Sequence, residues 1–168
     1  MKISDDGLDL IKSFESYVGY VYDDLRPPVN GKYREWQGEP VKGTLTIGYG
    51  HTNAAADPLK CNQGTRVTQA QALTILANDL GPCEATVNTV VKAPIGQHQF
   101  DALVSFVFNT GRLEGTGLLA QLNQKNYSKV PDEFMKWVKS KGQTLRGLVR
   151  RRQAEVHLWS TPDHTTPS

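Results

Sequence analysis

At 168 residues, 38% hydrophobic and 21% charged, with no low-complexity tract, the chain has the makings of one compact folded domain and not of a disordered or fibrous protein. A net charge of +2 is too small to imply a nucleic-acid binder, and no apolar run approaches the ~18 residues of a membrane span. The polar start, Ser4-Asp5-Asp6, does not read as a signal peptide, so synthesis in a cytoplasm is expected, with something else needed to let the protein out.

Ser4 is a good N-cap, and Asp5 and Asp6 suit the positive end of a helix dipole. Leu8, Ile11, Phe14 and Val18 recur at helical spacing, which predicts a first helix over about 5–17. Glu15 falls on or beside that apolar stripe. Over 20–50 the helical period gives way to Gly, Pro and β-formers, which predicts a small antiparallel β region with turns at Asn30-Gly31 and Gly38. It is the only β signal in the chain.

After a polar loop, Thr68 caps a helix that Gly81-Pro82 kinks or breaks, since proline removes a backbone donor and clashes with the preceding turn. Phe100 to Phe108 is apolar almost all round and predicts a buried central helix ended by Gly111. A short helix around Leu118–Leu122, another opened by Pro131 that turns Phe134, Trp137 and Val138 inward, and a last one over about 144–159 complete the pattern. The tail 160–168 is too polar and Pro-rich to pack.

The expected fold class is therefore α+β and mainly helical, with the small sheet near the N-terminus. Between Lys125 and Arg152 nine Lys and Arg meet only Asp132 and Glu133, so one face should carry positive potential toward a polyanionic surface. Arg152 falls on the buried side of its helix and needs an acid, with Glu155 and Glu15 as candidates, whereas Arg150 and Arg151 are expected in solvent, Arg151 as a surface i,i+4 pair with Glu155. Cys61 and Cys83 read either as two thiols or as a disulfide, which only geometry can decide. The four His, at 51, 98, 157 and 164, form no cluster in the sequence, and no metal site is expected.

Two carboxylates in different environments are the minimum equipment for cleaving a glycosidic bond. Glu15, on an apolar helical face, is a candidate for the member whose pKa burial raises, as a general acid requires. Asp23 and Asp24 compete for the second place. Adjacent residues of an extended segment point to opposite faces, so only one of them can serve. His51, which follows the run Thr46-Ile47-Gly48-Tyr49-Gly50, reads as a structural hydrogen-bonding histidine more readily than as a catalyst.

Phe14-Glu15, Tyr22 and Asp24, then Thr46-Ile47-Gly48-Tyr49-Gly50-His51, resemble the N-terminal lobe of phage-type lysozymes, glycoside hydrolase family 24. Phe100 to Gly111 resembles the buried central helix of that family, and Gly147 to Glu155 its C-terminal helix signature. The resemblance covers roughly 4–159, with an insertion at about 25–45. It implies a single two-lobed lysozyme-like domain over 1–159, with an N-terminal lobe to about 67, a helical lobe over 68–159, and a flexible tail over 160–168.

The resemblance further implies a muramidase, an endolysin that hydrolyses the β-1,4 bond between N-acetylmuramic acid and N-acetylglucosamine in peptidoglycan. Glu15 matches the general acid, Asp24 the carboxylate that helps deliver water, and Thr46 the hydroxyl that positions it, with inversion as the outcome. Inversion needs the carboxyls roughly 6.5–9.5 Å apart. Phe108 and Asn109 match residues near the cleft. Tyr33 or Trp36 of the insertion is a candidate to stack on a sugar ring, or Trp36 to anchor the insertion to the domain.

No metal or organic cofactor, no nucleic acid, no stable membrane insertion and a monomeric chain are the expectations. The enzyme would wait in the host cytoplasm for a membrane pore, then act in the periplasm on the cell wall. Two other readings are a peptidoglycan-binding module of the same fold without turnover, and a lytic transglycosylase, which would need one carboxylate only.

Overall fold

Ser4 begins the first helix. Its carbonyl accepts from Leu8 N, and its own N–H and hydroxyl donate to the Asp101 carboxylate. The computed structural model describes residues 1–164. In chain order it contains α1 (Asp5–Phe14), β1 (Val18–Asp23), β2 (Leu45–Gly48), β3 (His51–Thr52), α2 (Gln69–Asp79), α3 (Gly81–Val90), α4 (Gln97–Thr110) and α5 (Gly117–Asn123). A single 3-10 turn (Tyr127–Lys129), α6 (Val130–Phe134), the short strands β4 (Lys139–Ser140) and β5 (Gln143–Thr144), and α7 (Arg146–Ser160) follow. The architecture is α+β and mainly helical, as expected.

Two units divide the chain: Lys12–Gly81, and Met1–Ile11 together with the chain from Pro82 on. The boundaries differ from an N-terminal lobe ending near 67. α2 belongs with the sheet because Gly48, at φ 68°, lets Ala72 approach so closely that a Cβ there would stand 3.3 Å from the alanine methyl.

In the sheet unit the order is β1-β2-β3, all antiparallel. Thr68 and Gln71 form the reciprocal capping box that starts α2, with bonds of 3.1 and 2.9 Å. His51 is buried, its Nδ1 at 2.8 Å from Asp79 Oδ2 and its Nε2 at 2.8 Å from the Leu59 carbonyl, so it ties the polar loop to α2. That is the structural role expected of it.

The insertion turns at Asn30-Gly31 and Gly38, all with positive φ, but forms no strand pair beyond the isolated bridge Val29–Lys32. The β-formers Lys32–Trp36 are instead held one contact at a time, Trp36 N donating to the Val21 carbonyl at 2.7 Å. α1 stops at Phe14, three residues short of the expected end, as the chain enters β1.

In the helical unit α4 is buried along most of its length and ends at Gly111, in the left-handed region at φ 72°. Arg152 is 0% exposed, with Nε 2.6 Å from Glu155 Oε1 and an Nη2 donor 2.8 Å from Asn109 Oδ1. Ser105 Oγ donates to Glu155 Oε2 at 2.6 Å. Glu155 is therefore the acid that Arg152 needed. Arg151 forms the expected i,i+4 ion pair with Glu155, Nε at 3.5 Å from Oε2, but in the interior, only 4% exposed, and not in solvent. Burial pushes the Glu155 carboxyl above its ordinary pKa, against the two guanidinium groups and the Ser105 hydroxyl.

Three further expectations fail locally. A second β element exists: β4 and β5 pair around Lys141-Gly142, both with positive φ, as a two-residue hairpin turn requires. α6 ends at Phe134, so Trp137 and Val138 lie beyond it and are only half-buried, although the Trp137 ring meets Phe106 edge-on at 5.5 Å. The tail packs as far as it is described. Asp163 accepts from Gln97 N at 3.0 Å and His98 N at 2.8 Å, capping α4 where Gly96 offers no side chain. The remainder of the predicted tail, 165–168, lies outside the described residues. Cys61 and Cys83 are free thiols, and burial raises the latter to about 11.

Glu155→Ala leaves two buried guanidinium groups without their acid, and should lower the free energy of unfolding by about 3–5 kcal/mol. Urea titration of the variant beside the wild type measures this, and a loss near zero would mean that the cluster is not the keystone described.

Candidate functional site

β1 alternates strictly in its second half: Val21 and Asp23 are buried, Tyr20 and Tyr22 half-exposed. Tyr22 pairs with Thr46 and Asp23 with Leu45 across the ladder, and cross-strand partners share a face. The Asp24 N–H still donates to the Thr44 carbonyl at 3.2 Å, so Asp24 takes the next position in the alternation. Tyr22, Asp24 and Thr46 thus share one face of the β1–β2 pair, and Asp23 takes the other.

Asp23 is 2% exposed and its carboxylate is fully committed. It accepts from Lys42 N at 2.6 Å, Gly43 N at 2.9 Å and Leu25 N at 3.1 Å, with Arg26 Nε at 3.7 Å. Burial by itself would raise its pKa, but the three N–H groups and the guanidinium outweigh it and hold the carboxyl below its ordinary value. Of the roles open to Asp23, turn-capping is the one it takes; it is not solvated.

Asp24 is exposed. Its Oδ1 accepts from Thr44 N at 2.7 Å, leaving Oδ2 without a protein partner among the described residues. A Cβ at Gly43 would collide with Asp24 Oδ1 and the Leu25 side chain, so only glycine lets this segment pass so near the carboxylate. Thr46 is buried and its hydroxyl donates to the Thr44 carbonyl at 3.1 Å, keeping its oxygen lone pairs as acceptors.

Glu15 follows α1 directly and is half-buried. Its carboxylate lies against the turn between β2 and β3: a Cβ at Gly50, which has φ 75°, would stand 3.0 Å from Glu15 Oε2. The glycine makes room for the acid. Tyr17 and Tyr49 brace this turn, with ring centroids 5.7 Å apart and the Tyr17 hydroxyl donating to the Val67 carbonyl at 2.7 Å.

Tyr22 joins these groups, and sequence reasoning did not place it among the site residues. Its hydroxyl is pushed up to about 12, by burial first and then by the charges of Tyr33, Glu15 and Asp24. A neutral phenol therefore sits within electrostatic reach of both carboxylates. The signal available in the sequence was its position two residues before Asp24 on a strand.

Tyr33 stacks on Tyr22 with centroids 4.3 Å apart and planes at 26°. Trp36 uses its indole N–H on the Glu39 carbonyl at 2.8 Å and its backbone N–H on Val21, which makes it an anchor of the insertion. Phe108 and Asn109 belong to the other unit, on α4, where Asn109 is committed to Arg152. Glu15, Asp24, Thr46 and Tyr33 are all in the Lys12–Gly81 unit. A potential metal-ligating group, Asp6 with His98 and His164, lies in the helical unit, so two histidines far apart in the chain do converge.

A family model described as phage lysozyme matches residues 29–155. The endolysin of Acyrthosiphon pisum secondary endosymbiont phage 1 is 37% identical over 167 residues, covering 96% of this chain and 99% of that protein. The endolysin of Bacillus phage B103 is 34% identical over 163 residues, or 96% of this chain and 55% of that protein, so the chain spans about half the length of that relative. Among solved structures, a mutant of P22 lysozyme is similar with a TM-score of 0.77 at 30% identity, covering 96% of this chain and 99% of that one. With a family model matching well over half its length and a relative covered end to end, the chain belongs to the phage lysozyme family.

Proposed function

We propose that the chain is a muramidase, hydrolysing the β-1,4 bond between N-acetylmuramic acid and N-acetylglucosamine of peptidoglycan. The observation that carries this reading is the common face of Tyr22, Asp24 and Thr46, with the Glu15 carboxyl lodged at Gly50 and the Tyr22 phenol sensing both acids. Glu15 gives its proton to the leaving glycosidic oxygen. Asp24 Oδ2 and the Thr46 hydroxyl hold the attacking water, Asp24 taking its proton. Tyr22, protonated throughout the working pH range, offers a hydrogen-bond donor beside the two acids, to the Asp24 carboxylate before the reaction and to that of Glu15 once its proton is given up. Tyr33 fixes the Tyr22 ring by stacking. No helix among the described residues is long and apolar enough to cross a membrane.

Glu15→Gln removes the proton donor while keeping the shape. Clearing of purified cell walls should fall by about 10²–10⁴-fold with the melting temperature retained. Mass spectrometry of the wild-type products should find one added water per cleavage. Anhydro-sugar ends would point to transglycosylation instead, full activity of the variant would mean that the acid is a different residue, and a wild type that binds walls without clearing them would leave only the non-catalytic module.

Tyr22→Phe keeps the ring stack and removes only the hydroxyl. A roughly tenfold lower kcat is expected, the worth of one hydrogen bond of about 1.4 kcal/mol, with KM little changed. Unaltered kcat would exclude the phenol from the reaction.

The Asp23 clamp has a pH signature. Its folded-state pKa lies below the unfolded value of about 3.9, so its contribution to stability is present above that value and is lost as pH falls through the folded one. Asp23→Asn should lower the urea midpoint at neutral pH, and the gap to wild type should narrow in acid. A gap independent of pH would show that the carboxylate charge is not what holds the insertion.

A further inference from the structure

We propose that Asp6, His98 and His164 form a site for one divalent cation of the zinc type, independent of the residues assigned to the reaction. Asp6 Oδ2 and the Nε2 atoms of the two imidazoles lie within 4.8 Å of one another. His98 Nε2 is 2.8 Å from Asp6 Oδ2, and His164 Nε2 is 2.7 Å from the same oxygen. Three ligands around a tetrahedral ion bonded at about 2.0–2.1 Å stand about 3.3 Å apart. Outward shifts of about half an ångström by the half-exposed Asp6 carboxylate and the exposed His164 ring reach that spacing.

The ring of His98 is prepared for this role. It is buried, and its Nδ1 faces the Thr161 carbonyl at 3.1 Å. A carbonyl only accepts, so Nδ1 carries a hydrogen, which leaves Nε2, aimed at the shared point, as the atom free to ligate once a cation displaces its proton. This is how outer partners orient a ligating histidine. The His164 ring meets it edge-on, with centroids 5.3 Å apart, so both imidazoles converge from different directions.

The surroundings favour a cation over a proton alone. The groups line a surface pocket of about 380 Å³ to which Asp5 and Asp163 add carboxylates, and no Lys or Arg lines it. Both rings aim Nε2 at one Asp6 oxygen, at 2.8 and 2.7 Å, an approach that calls for a shared proton or a shared cation between them. One divalent ion replaces the proton and meets the same carboxylate. Two imidazoles with one carboxylate suit Zn²⁺ and its transition-metal neighbours, whereas Mg²⁺ and Ca²⁺ prefer all-oxygen sites. The ion would staple the first turn of α1, the start of α4 and the segment after α7.

The test uses the untagged chain, stripped of metal with a chelator and titrated with Zn²⁺ at neutral pH by calorimetry and thermal unfolding. One Zn²⁺ per chain is expected, with Tm raised by about 5 °C or more at a hundredfold excess over the Kd. His164→Ala, at an exposed position that keeps the fold, and Asp6→Asn should each weaken binding at least tenfold and abolish the Tm shift. His157→Ala should bind like the wild type, and Mg²⁺ should leave Tm unchanged. Absence of saturable binding below millimolar Zn²⁺, or binding that survives both His164→Ala and Asp6→Asn, overturns the proposal.

Discussion

One buried carboxylate fixes the geometry of the face that Tyr22, Asp24 and Thr46 share. Asp23 gathers the N–H of Leu25 from the start of the insertion and those of Lys42 and Gly43 from its end. The excursion of some twenty residues between β1 and β2 is thereby closed at its neck, whatever its middle does. Lengthening a loop costs little once its ends are pinned. The same clamp sets the register Asp23–Leu45 and Tyr22–Thr46. A slip of one residue would exchange the two neighbouring acids between faces, burying Asp24 and presenting Asp23.

The helical unit rests on a different kind of constraint. Arg151 and Arg152 are both withdrawn from water onto Glu155, with Ser105 and Asn109 completing the polar partners inside an aromatic setting of Phe106 and Trp137. Such a cluster adds little net stability over an apolar core, since desolvation offsets the attraction. Its effect is to admit only one mutual arrangement of α4 and α7, because any other leaves a buried charge alone. Asn109, which the family resemblance brought forward as a candidate for substrate contact, gives its Oδ1 to this network while its side chain stays exposed.

Local signals in the sequence were legible because local chemistry decides them. The capping box of Thr68 and Gln71, the left-handed Gly111 and the break at Gly81-Pro82 all arise from residues within a few positions of each other. Glu15, Asp24 and Thr46 were likewise visible as residue types in order, and the period-two alternation of a strand was enough to pose the choice between Asp23 and Asp24. What escaped depends on distant parts of the chain. Tyr22 takes its place beside Asp24 and Thr46 from the strand register, the burial of Arg151 follows from packing against α4 and not from its i,i+4 partner, and Asp6 meets histidines 92 and 158 positions away. The hairpin at Lys141-Gly142 escaped for another reason: its strands are two residues each and wholly exposed, so no alternation betrays them. The β-formers of the insertion misled because propensity describes a fit to a pleated surface, and here there is no partner strand.

The central claim is that the Glu15 carboxyl, lodged against the Gly50 turn, addresses the glycosidic oxygen while Asp24 and Thr46 hold water. A crystal structure of the Glu15→Gln variant with a bound peptidoglycan disaccharide repeat tests it most directly. The account predicts the side-chain amide at position 15 within about 3 Å of a bridging oxygen, and a water touching both Asp24 Oδ2 and Thr46 Oγ1 beside the anomeric carbon. A saccharide whose bridging oxygens all lie beyond reach of position 15, or whose anomeric carbon faces neither Asp24 nor Thr46, would contradict it.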